Sequence, residues 1–345
     1  MFDKHPTGHE SGTLTKHVCM EQPPGFTRKL HSEFATKDLG SLNYFLGLEA
    51  SPTPDGLFIS QLKYARDILT RAQLLNSKPI YTPMVVSQHL IVDGSPFSDP
   101  SLYRSLVGAL QYLTITHPDI AHAVNSVSQF LHAPIVDHFL AIKRILRYVK
   151  GTLHFGLTFR PSTVPSALVA YLDADWASCP DTHRSTSGYS IYLGNNLVSW
   201  SAKKQPTVSR SSCESEYRAL AMTAAELLWL THLLHDLKVP IPQQPLLLCD
   251  NKSAIFLSSN PVSHKHVELD YHFLRELVVA GNFAPSMCPP TSKLLTSSPK
   301  VFLNLSLNFS NPSFTFIPIR RSTYRGVLRI LSLPLRFTIC IIFDP

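Results

Sequence analysis

Apolar and polar residues follow one pattern ahead of the segment PSTVPS and another behind it. Ahead of it, the stretch NYFLGLEAS, the turn PTPDG and the stretch LFISQ predict a β-hairpin. KYARDILTRAQLL follows with the spacing of an amphipathic helix. Prolines make residues 78–100 a linker, and residues 102–150 indicate helices that break near Pro118 and Pro134.

The last of these helices, VDHFLAIKRILRYVKG, has two distinct faces. Its apolar face carries Phe139, Ile142, Ile145, Leu146 and Val149. Its basic face carries Lys143, Arg144, Arg147 and Lys150. An amphipathic surface helix normally turns such charges to water, so we expect a solvated basic face.

Behind PSTVPS the pattern changes to short strands. Strand-like runs occupy 167–172, 188–193 and 197–201, and the long helical stretch SSCESEYRALAMTAAELLWLTHLLHDL follows. A short strand, PLLLC, ends before Asp250, and helices are expected near 251–258 and 266–280. Strands followed by alternating helix and strand predict an α+β fold with a mixed sheet.

The positive charge of the chain is concentrated near its end. The 345 residues are enough for two ordinary domains, and the net charge of +7 on its own would suggest nucleic-acid binding. However, seven of the 31 Lys and Arg residues and one of the 24 acids lie in 287–345, which leaves a net of +1 for the remainder. The charge is therefore no argument for nucleic-acid binding by residues 1–286.

Cysteine spacing and hydropathy narrow the class of protein. The six cysteines have no C-x-x-C spacing, which supports neither a zinc site nor a disulfide framework. The start, MFDKHPTGHESG, has no apolar core of a signal peptide, and no run of 18 apolar residues occurs. We therefore expect an intracellular chain, cytoplasmic or nuclear, without a membrane partner.

Three carboxylates stand where the strands and the long helix would present them. Asp173 follows the first strand, Glu216 lies in the first turns of the helix, and Asp250 follows the fourth strand. Clustered carboxylates repel one another unless a hard cation neutralises them, and oxygen ligands suit Mg²⁺. Two such ions about 3.5–4 Å apart can activate water and stabilise a leaving oxygen. Turn chemistry at Asp173 and helix capping at Asp250 would explain the same residues without a metal.

Nine segments carry a resemblance to copia-type retrotransposon Pol polyproteins. Six resemble the ribonuclease H domain: DADWA (173–177), RSTSGY (184–189), SWSAKKQ (199–205), SSCESEYRAL (211–220), CDNKSAI (249–255) and KHVELDYHFLRE (265–276). Three resemble the end of the reverse transcriptase region: FATKDLGSLNYFLGLEAS (34–51), YRSLVGALQYLTITHPDIAHAVN (103–125) and HFLAIKRILRYVKGT (138–152). The resemblance covers about residues 30–286, in the family's order.

The resemblance implies a chain of four parts. Residues 1–29 would be an irregular remnant of the upstream polymerase, and 30–152 a partial reverse transcriptase with the end of the palm and thumb- or connection-like helices. Residues 160–286 would form the ribonuclease H-like domain, and 287–345 an unstructured tail. The fold implied is α+β, a ribonuclease H-like mixed sheet with flanking helices, preceded by a hairpin and helices.

The resemblance also assigns roles to the acids. Asp173, Glu216 and Asp250 match the catalytic residues that bind Mg²⁺, with Mn²⁺ as a second candidate, and that hydrolyse the RNA strand of RNA–DNA hybrids. Asp175 and Glu214 become neighbours of the ligands. An RNA–DNA hybrid or another nucleic acid is the implied partner.

The polymerase part departs from the family pattern. The family's polymerase needs an aromatic-x-Asp-Asp turn, and this sequence has no Asp-Asp pair. VCMEQPPGF (18–26) resembles a segment well upstream in the family, yet RKLHSEFATKDLG follows almost at once. The palm segment that should carry the polymerase acids is missing between them, so we expect no polymerase activity.

The segment behind GNFAPS departs as well. The family continues with a segment similar to HVPTNKQVADIFTK, whose Asp is a fourth acid of the nuclease site, whereas this chain reads MCPPTSKLLTSSPK (287–300). With suitable codons, deleting one base from DNA for the expected peptide gives Met287 to Pro299 residue for residue. We therefore interpret 287–345 as out-of-frame translation. The fourth acid would have fallen at Leu295–Thr296.

Two functions stay open. One is an Mg²⁺-dependent ribonuclease H weakened by loss of the fourth acid. The other is a catalytically dead retrotransposon relic that at most binds nucleic acid through duplex shape and 2′-OH contacts.

Other polar and aromatic candidates are assigned structural roles. Polar surface is the interpretation for His264, His266 and His272. A capping box at the start of the long helix is expected, with Ser211 and Glu214 or in a nearby register. The hydrophobic core is the expected place of Trp176, Trp200 and Trp229.

Overall fold

A computed structural model of the chain describes residues 43–54, 56–85, 89–161, 167–260 and 268–288. These ranges contain nine strands, seven α-helices and one 3₁₀ turn. The remnant predicted at 1–29, two of the histidines (His264 and His266) and residues 289–345 lie outside the described residues. Among the helices of the described ranges, none combines the length and apolar character that a membrane span requires.

The first half builds one small sheet and four helices. Strands β1 to β4 are Tyr44–Phe45, Leu48–Thr53, Gly56–Ser60 and Leu157–Phe159. Helices α1 to α4 are Leu62–Arg71, Pro100–Leu113, Ala121–Ser128 and Val136–Gly151, and the 3₁₀ turn is Pro118–Ile120. The predicted hairpin is confirmed, since β2 and β3 pair antiparallel from Glu49↔Ser60 to Thr53↔Gly56.

The chain returns to this hairpin after α4. Strand β4 pairs antiparallel with β3, with Phe58 opposite Thr158. Gly56 has a φ of +138°, and a Cβ placed there would lie 1.9 Å from the carbonyl oxygen of Phe159. Only glycine fits a strand end where another backbone passes so closely.

Helices α1 to α4 enclose the first hydrophobic core. Its fully buried residues include Ile68, Leu110 and Ile142. Asp99 caps α2 by accepting a 2.9 Å hydrogen bond from the Leu102 N–H, and Pro100 occupies the first turn, where its missing N–H costs nothing.

The basic face of α4 is bound to the linker rather than simply solvated, which corrects the expectation from the sequence. Arg144 Nη2 donates to Thr82 Oγ1 at 2.7 Å, and Arg147 Nε donates to the carbonyl of Lys78 at 2.8 Å. Lys150 Nζ also donates to the carbonyl of Ser77. The proline-rich linker cannot satisfy all its carbonyls internally, so these side chains supply the donors.

The second half builds the larger sheet. Strands β5 to β9 are Leu168–Asp175, Thr186–Leu193, Asn196–Lys204, Leu246–Cys249 and Ala284–Met287, and helices α5 to α7 are Ser212–Asp236, Lys252–Ser259 and Glu268–Val279. The strand order is β7-β6-β5-β8-β9. Strands β5, β6 and β7 are antiparallel, whereas β8 runs parallel to β5 and β9 parallel to β8. This confirms the α+β class and the ribonuclease H-like mixed sheet.

Strand β5 is longer than its hydrophobic run. The sequence predicted an end at Leu172, but the ladder with β6 continues through Asp173↔Gly188 to Asp175↔Thr186. Backbone hydrogen bonds do not depend on side-chain polarity, so the acids lie on the strand itself.

Both faces of the larger sheet are covered. Helix α5 packs on one face through Tyr217, Leu220 and Leu227, all fully buried, and this packing forms the second hydrophobic cluster. The opposite face forms a further cluster, in which Trp200 and Leu197 pack with Ala121 of α3 and Leu157 of β4. This third cluster joins the two halves.

The tryptophans do not all belong to the core. Trp200 is fully buried, as predicted. The prediction is wrong for Trp176 and Trp229, which are 49% and 38% exposed. Trp176 follows the end of β5, and its indole Nε1–H donates to the Ser209 carbonyl at 2.9 Å.

The sheet continues one residue past the domain boundary predicted at residue 286. Met287 pairs with Cys249 in the β8–β9 ladder, and the Cys288 N–H donates to the Cys249 carbonyl at 2.9 Å. An edge strand is held by its backbone, so the side chains behind Ser286 need no particular pattern to extend it.

Candidate metal centre

Two of the predicted acids meet at the end of a pair of parallel strands. Strand β5 pairs with β8 up to Tyr171↔Leu248. Asp173 lies two residues after Tyr171, and Asp250 lies two residues after Leu248. The register of the two strands therefore sets the two acids side by side. Asp250 is exposed and Asp173 is partly buried.

The third acid is delivered by the first turns of helix α5. Ser211 is the N-cap, and its Oγ accepts from the Glu214 N–H at 3.2 Å, which is one half of the predicted capping box. The Glu214 carboxylate accepts from the Arg210 N–H at 2.8 Å and pairs with Arg218 at 2.8 Å. With Glu214 held in these contacts, Glu216 is the acid that the helix turns toward the sheet.

Glu216 is buried and fixed by contacts from two strands. Its Oε1 accepts from the Ala174 N–H of β5 at 3.2 Å. Its Oε2 lies 3.7 Å from Cys249 Sγ at the end of β8. The carboxylate therefore spans the gap between the two strands, with only 5% of the residue exposed.

Mutual repulsion and burial change the ionisation of these acids. Burial, and then the charges of Asp173 and Asp250, raise the pKa of Glu216 to about 8. Burial, and then the charge of Asp250, raise the pKa of Asp173 to about 6. Carboxylates in such a group favour a bound proton or a bound cation over free ionisation.

The side chains could hold a divalent cation. Glu216, Cys249 and Asp250 each offer one ligand atom, and the three atoms lie within 4.8 Å of one another. Asp173 adds a further carboxylate whose charge acts on Glu216. The oxygen donors fit a hard cation such as Mg²⁺ or Mn²⁺.

The alternative role of Asp250 as a helix cap does not hold. Asn251 is the N-cap of α6, and its Oδ1 accepts from the Ala254 N–H at 3.1 Å. Asp250 precedes the cap and faces solvent, so its place in the fold does not require a carboxylate for capping.

The other acid and histidine candidates are not among the grouped ligand atoms, although the charge of Asp175 also helps to raise the pKa of Asp173. Asp175, at the end of β5, exerts its charge on His122 of α3. His272 is exposed on α7, beside the Tyr271 ring.

Cys249 is the member of the group that the sequence reasoning missed. It was judged only by its spacing from other cysteines, whereas its neighbours here come from a helix and a strand end. The available signal was its place directly before Asp250 at the end of an apolar run, because a residue at a strand end shares the surroundings of the one that follows it.

The chain is similar in sequence to several known proteins. No family model matches the chain. It is 46% identical over 256 residues to the retrovirus-related Pol polyprotein from transposon RE1 of Arabidopsis thaliana, covering 73% of this chain and 17% of the relative. An uncharacterized mitochondrial protein of the same plant, AtMg00810, is 52% identical over 201 residues, which cover 58% of this chain and 83% of the relative.

A solved structure, the foamy viral protease–reverse transcriptase in complex with an RNA/DNA hybrid, aligns with a TM-score of 0.43 at 11% identity, over 74% of this chain and 30% of that one.

The strand order and the mixed parallel and antiparallel pairing define an α+β protein with a ribonuclease H-like sheet, preceded by a hairpin and helices. The chain belongs to the family of retrovirus-related Pol polyproteins of transposons. It spans 17% and 18% of the lengths of the RE1 and RE2 polyproteins.

Proposed function

We propose that this chain is part of a copia-type Pol polyprotein whose 160–286 domain hydrolyses the RNA strand of RNA–DNA hybrids with Mg²⁺. The observation that carries the proposal is the meeting of Asp173, Glu216 and Asp250 at the end of β5 and β8, with raised pKa values for the two buried acids. Such a group destabilises the fold unless a proton or a cation neutralises it, and strongly shifted pKa values of this kind cluster at functional sites.

Glu216 and Asp250 have distinct parts in the proposed site. Glu216, held by the Ala174 N–H, supplies an oxygen of fixed position. Asp250 is exposed to solvent, so it can contact an incoming cation without any rearrangement of the core. A divalent cation, when bound, supplies Lewis-acid stabilisation of the phosphate ester under attack by water.

Basic residues lie at the same end of the sheet as the acids. Thr186 pairs with Asp175 on one side and with Lys204 on the other. Lys203 and Arg210 are exposed nearby in sequence. Contacts of such side chains with phosphates position a duplex without reading its bases, which suits a nuclease that acts on any sequence.

Cleavage of a hybrid with labelled RNA in Mg²⁺ tests the proposal. Glu216→Gln and Asp250→Asn should lower the rate by about a hundredfold or more, because a bound metal contributes several kcal/mol to transition-state stabilisation. Asp175→Asn, a matched change on β5, should stay within a few-fold of the unmodified chain. Equal rates for all four proteins would show contaminating nuclease and contradict the proposal.

A second candidate function is binding of nucleic acid without cleavage. The observation that favours it is the absence of an acid at Leu295–Thr296, where the family's fourth acid is expected. Fluorescence anisotropy with the same hybrid distinguishes the two: binding without cleavage supports this candidate. Replacing 287–300 by HVPTNKQVADIFTK should then restore cleavage.

A further inference from the structure

Cys249 places a thiol inside the group of acids. The residue is fully buried at the end of β8, and its Sγ lies 3.7 Å from Glu216 Oε2. The Asn251 N–H approaches the same sulfur at 3.4 Å. The sulfur therefore contacts a backbone N–H and a carboxylate oxygen.

The distances match the bite of a tetrahedral site for a thiophilic cation. With Zn–S near 2.3 Å and Zn–O near 2.1 Å, a sulfur and an oxygen on one tetrahedral ion are about 3.6 Å apart. The Sγ–Oε2 separation of 3.7 Å already has this value. The whole Glu216, Cys249 and Asp250 set, within 4.8 Å, needs to close by about an ångström, and exposed Asp250 is free to provide that movement.

We propose that Glu216, Cys249 and Asp250 form a binding site for a thiophilic divalent cation, Zn²⁺ or Cd²⁺, which displaces the hard cation and inhibits the chain. The inhibition rests on the proposed function, since both cations would share Glu216 and Asp250. The binding itself does not depend on any nuclease activity.

The chemistry favours the softer cation. Thiolate selects Zn²⁺ and Cd²⁺, whereas carboxylates alone suit Mg²⁺. Binding replaces the S–H bond of Cys249 by a sulfur–metal bond, and the proton goes to solvent. The same pair of carboxylates can thus hold either cation, and the thiol decides between them.

Titration of the full chain with Cd²⁺, followed by the ultraviolet thiolate-to-cadmium absorption, tests the site without nucleic acid. The expected result is a saturable band with one Cd²⁺ per chain. Cys249→Ser should abolish this band and weaken Cd²⁺ binding by at least about tenfold, while Mn²⁺ binding changes less. Asp250→Asn should keep the band but shift the titration to higher Cd²⁺, which covers the case in which Cys249→Ser does not fold.

Two other cysteines provide the controls. Cys179 lies 2.9 Å from the Lys204 ammonium, which repels cations, so Cys179→Ser should leave the band unchanged. Cys213 lies within the electrostatic influence of Glu216, and loss of the band in Cys213→Ser instead of Cys249→Ser would overturn the assignment. A band that survives in Cys249→Ser would overturn it too. If the band behaves as expected but no Mn²⁺ binds and no hybrid is cleaved, the proposed function fails and the thiophilic site stands.

Discussion

Glu216 combines two properties that seldom occur together in one side chain. It is almost fully buried, and it lies within the influence of two other carboxylates. Its carboxylate accepts from the Ala174 N–H and from the Cys249 thiol, which is a weak donor. The residue therefore destabilises the fold when ionised without a cation, and this destabilisation is measurable.

Removal of the Asp250 charge should not cost stability in the absence of metal. In a chelator, Asp250→Asn should melt at the same temperature as the unmodified chain or slightly higher. Because the side chain is exposed and screened by water, the gain should be at most about 1 kcal/mol. Added Mg²⁺ should raise the melting temperature of the unmodified chain but not of the variant. Asp236→Asn, an exposed acid on α5, serves as the control, and a large loss of stability in chelator would show that Asp250 is structural.

The acids should also give a pH dependence of known sign. A carboxyl group whose folded pKa is raised stabilises the fold fully below its unfolded pKa and loses that contribution as the pH rises through the folded value. For Glu216 the loss runs from about pH 4.5 to about pH 8, and for Asp173 from about 3.8 to about 6. His122 and His138, whose pKa values are lowered by burial, act in the opposite sense.

The difference in unfolding free energy between the unmodified chain and Glu216→Gln isolates the contribution of this acid to the pH dependence. Denaturant titrations in chelator should show the variant gaining stability relative to the unmodified chain as the pH rises across this window. A difference in stability that is flat with pH, or that has the opposite slope, would mean that burial and the neighbouring charges do not raise the pKa of Glu216.

At the scale of elements, helix α4 shows what a sequence pattern leaves open. Its periodicity predicted the helix and its buried face, including Ile142 and Ile145. It did not predict that Arg144 and Arg147 bind the linker, because a pattern identifies a polar face but not the partner that approaches it. The three-residue strand β4 was missed for a related reason, since so short a strand has no period to detect.

The residues of the candidate site were likewise predictable from the sequence only in part. The three acids were predictable from their places at two strand ends and at the start of the long helix, and from the resemblance to a family. Cys249 was not, because its importance arises from a contact with Glu216 across 33 positions of sequence.

The hydrogen bond between Arg147 of α4 and the linker should contribute measurably to stability. Arg147→Met keeps the length of the side chain but removes the donor to the Lys78 carbonyl, which should cost about 1 kcal/mol and speed amide exchange in residues 77–82. Lys63→Met on α1, an exposed basic position, should have neither effect. Unchanged exchange in 77–82 of Arg147→Met would show that the contact does not hold the linker.

At the scale of the whole molecule, the third cluster joins the helical half to the larger sheet. Trp200 lies at its centre, fully buried among side chains from β4, β6, β7 and α3. The two halves should therefore unfold as one unit.

Loss of this side chain should uncouple them. Trp200→Ala should cost about 3–5 kcal/mol and broaden or split the thermal transition. Trp176→Ala, at a half-exposed tryptophan with one hydrogen bond, should cost about 1 kcal/mol and leave a single transition. Equal costs for the two variants would contradict a cluster that joins the halves.

We propose that Asp173, Glu216 and Asp250 together bind a divalent cation. Crystals of the chain soaked in Mn²⁺ test it most directly, because the anomalous signal of manganese locates the ion independently of any activity. We expect a peak within about 2.0–2.6 Å of oxygens from these carboxylates, and the loss of this peak in Asp250→Asn. Manganese bound only elsewhere, with the three carboxylates free of metal at saturating Mn²⁺, would contradict it.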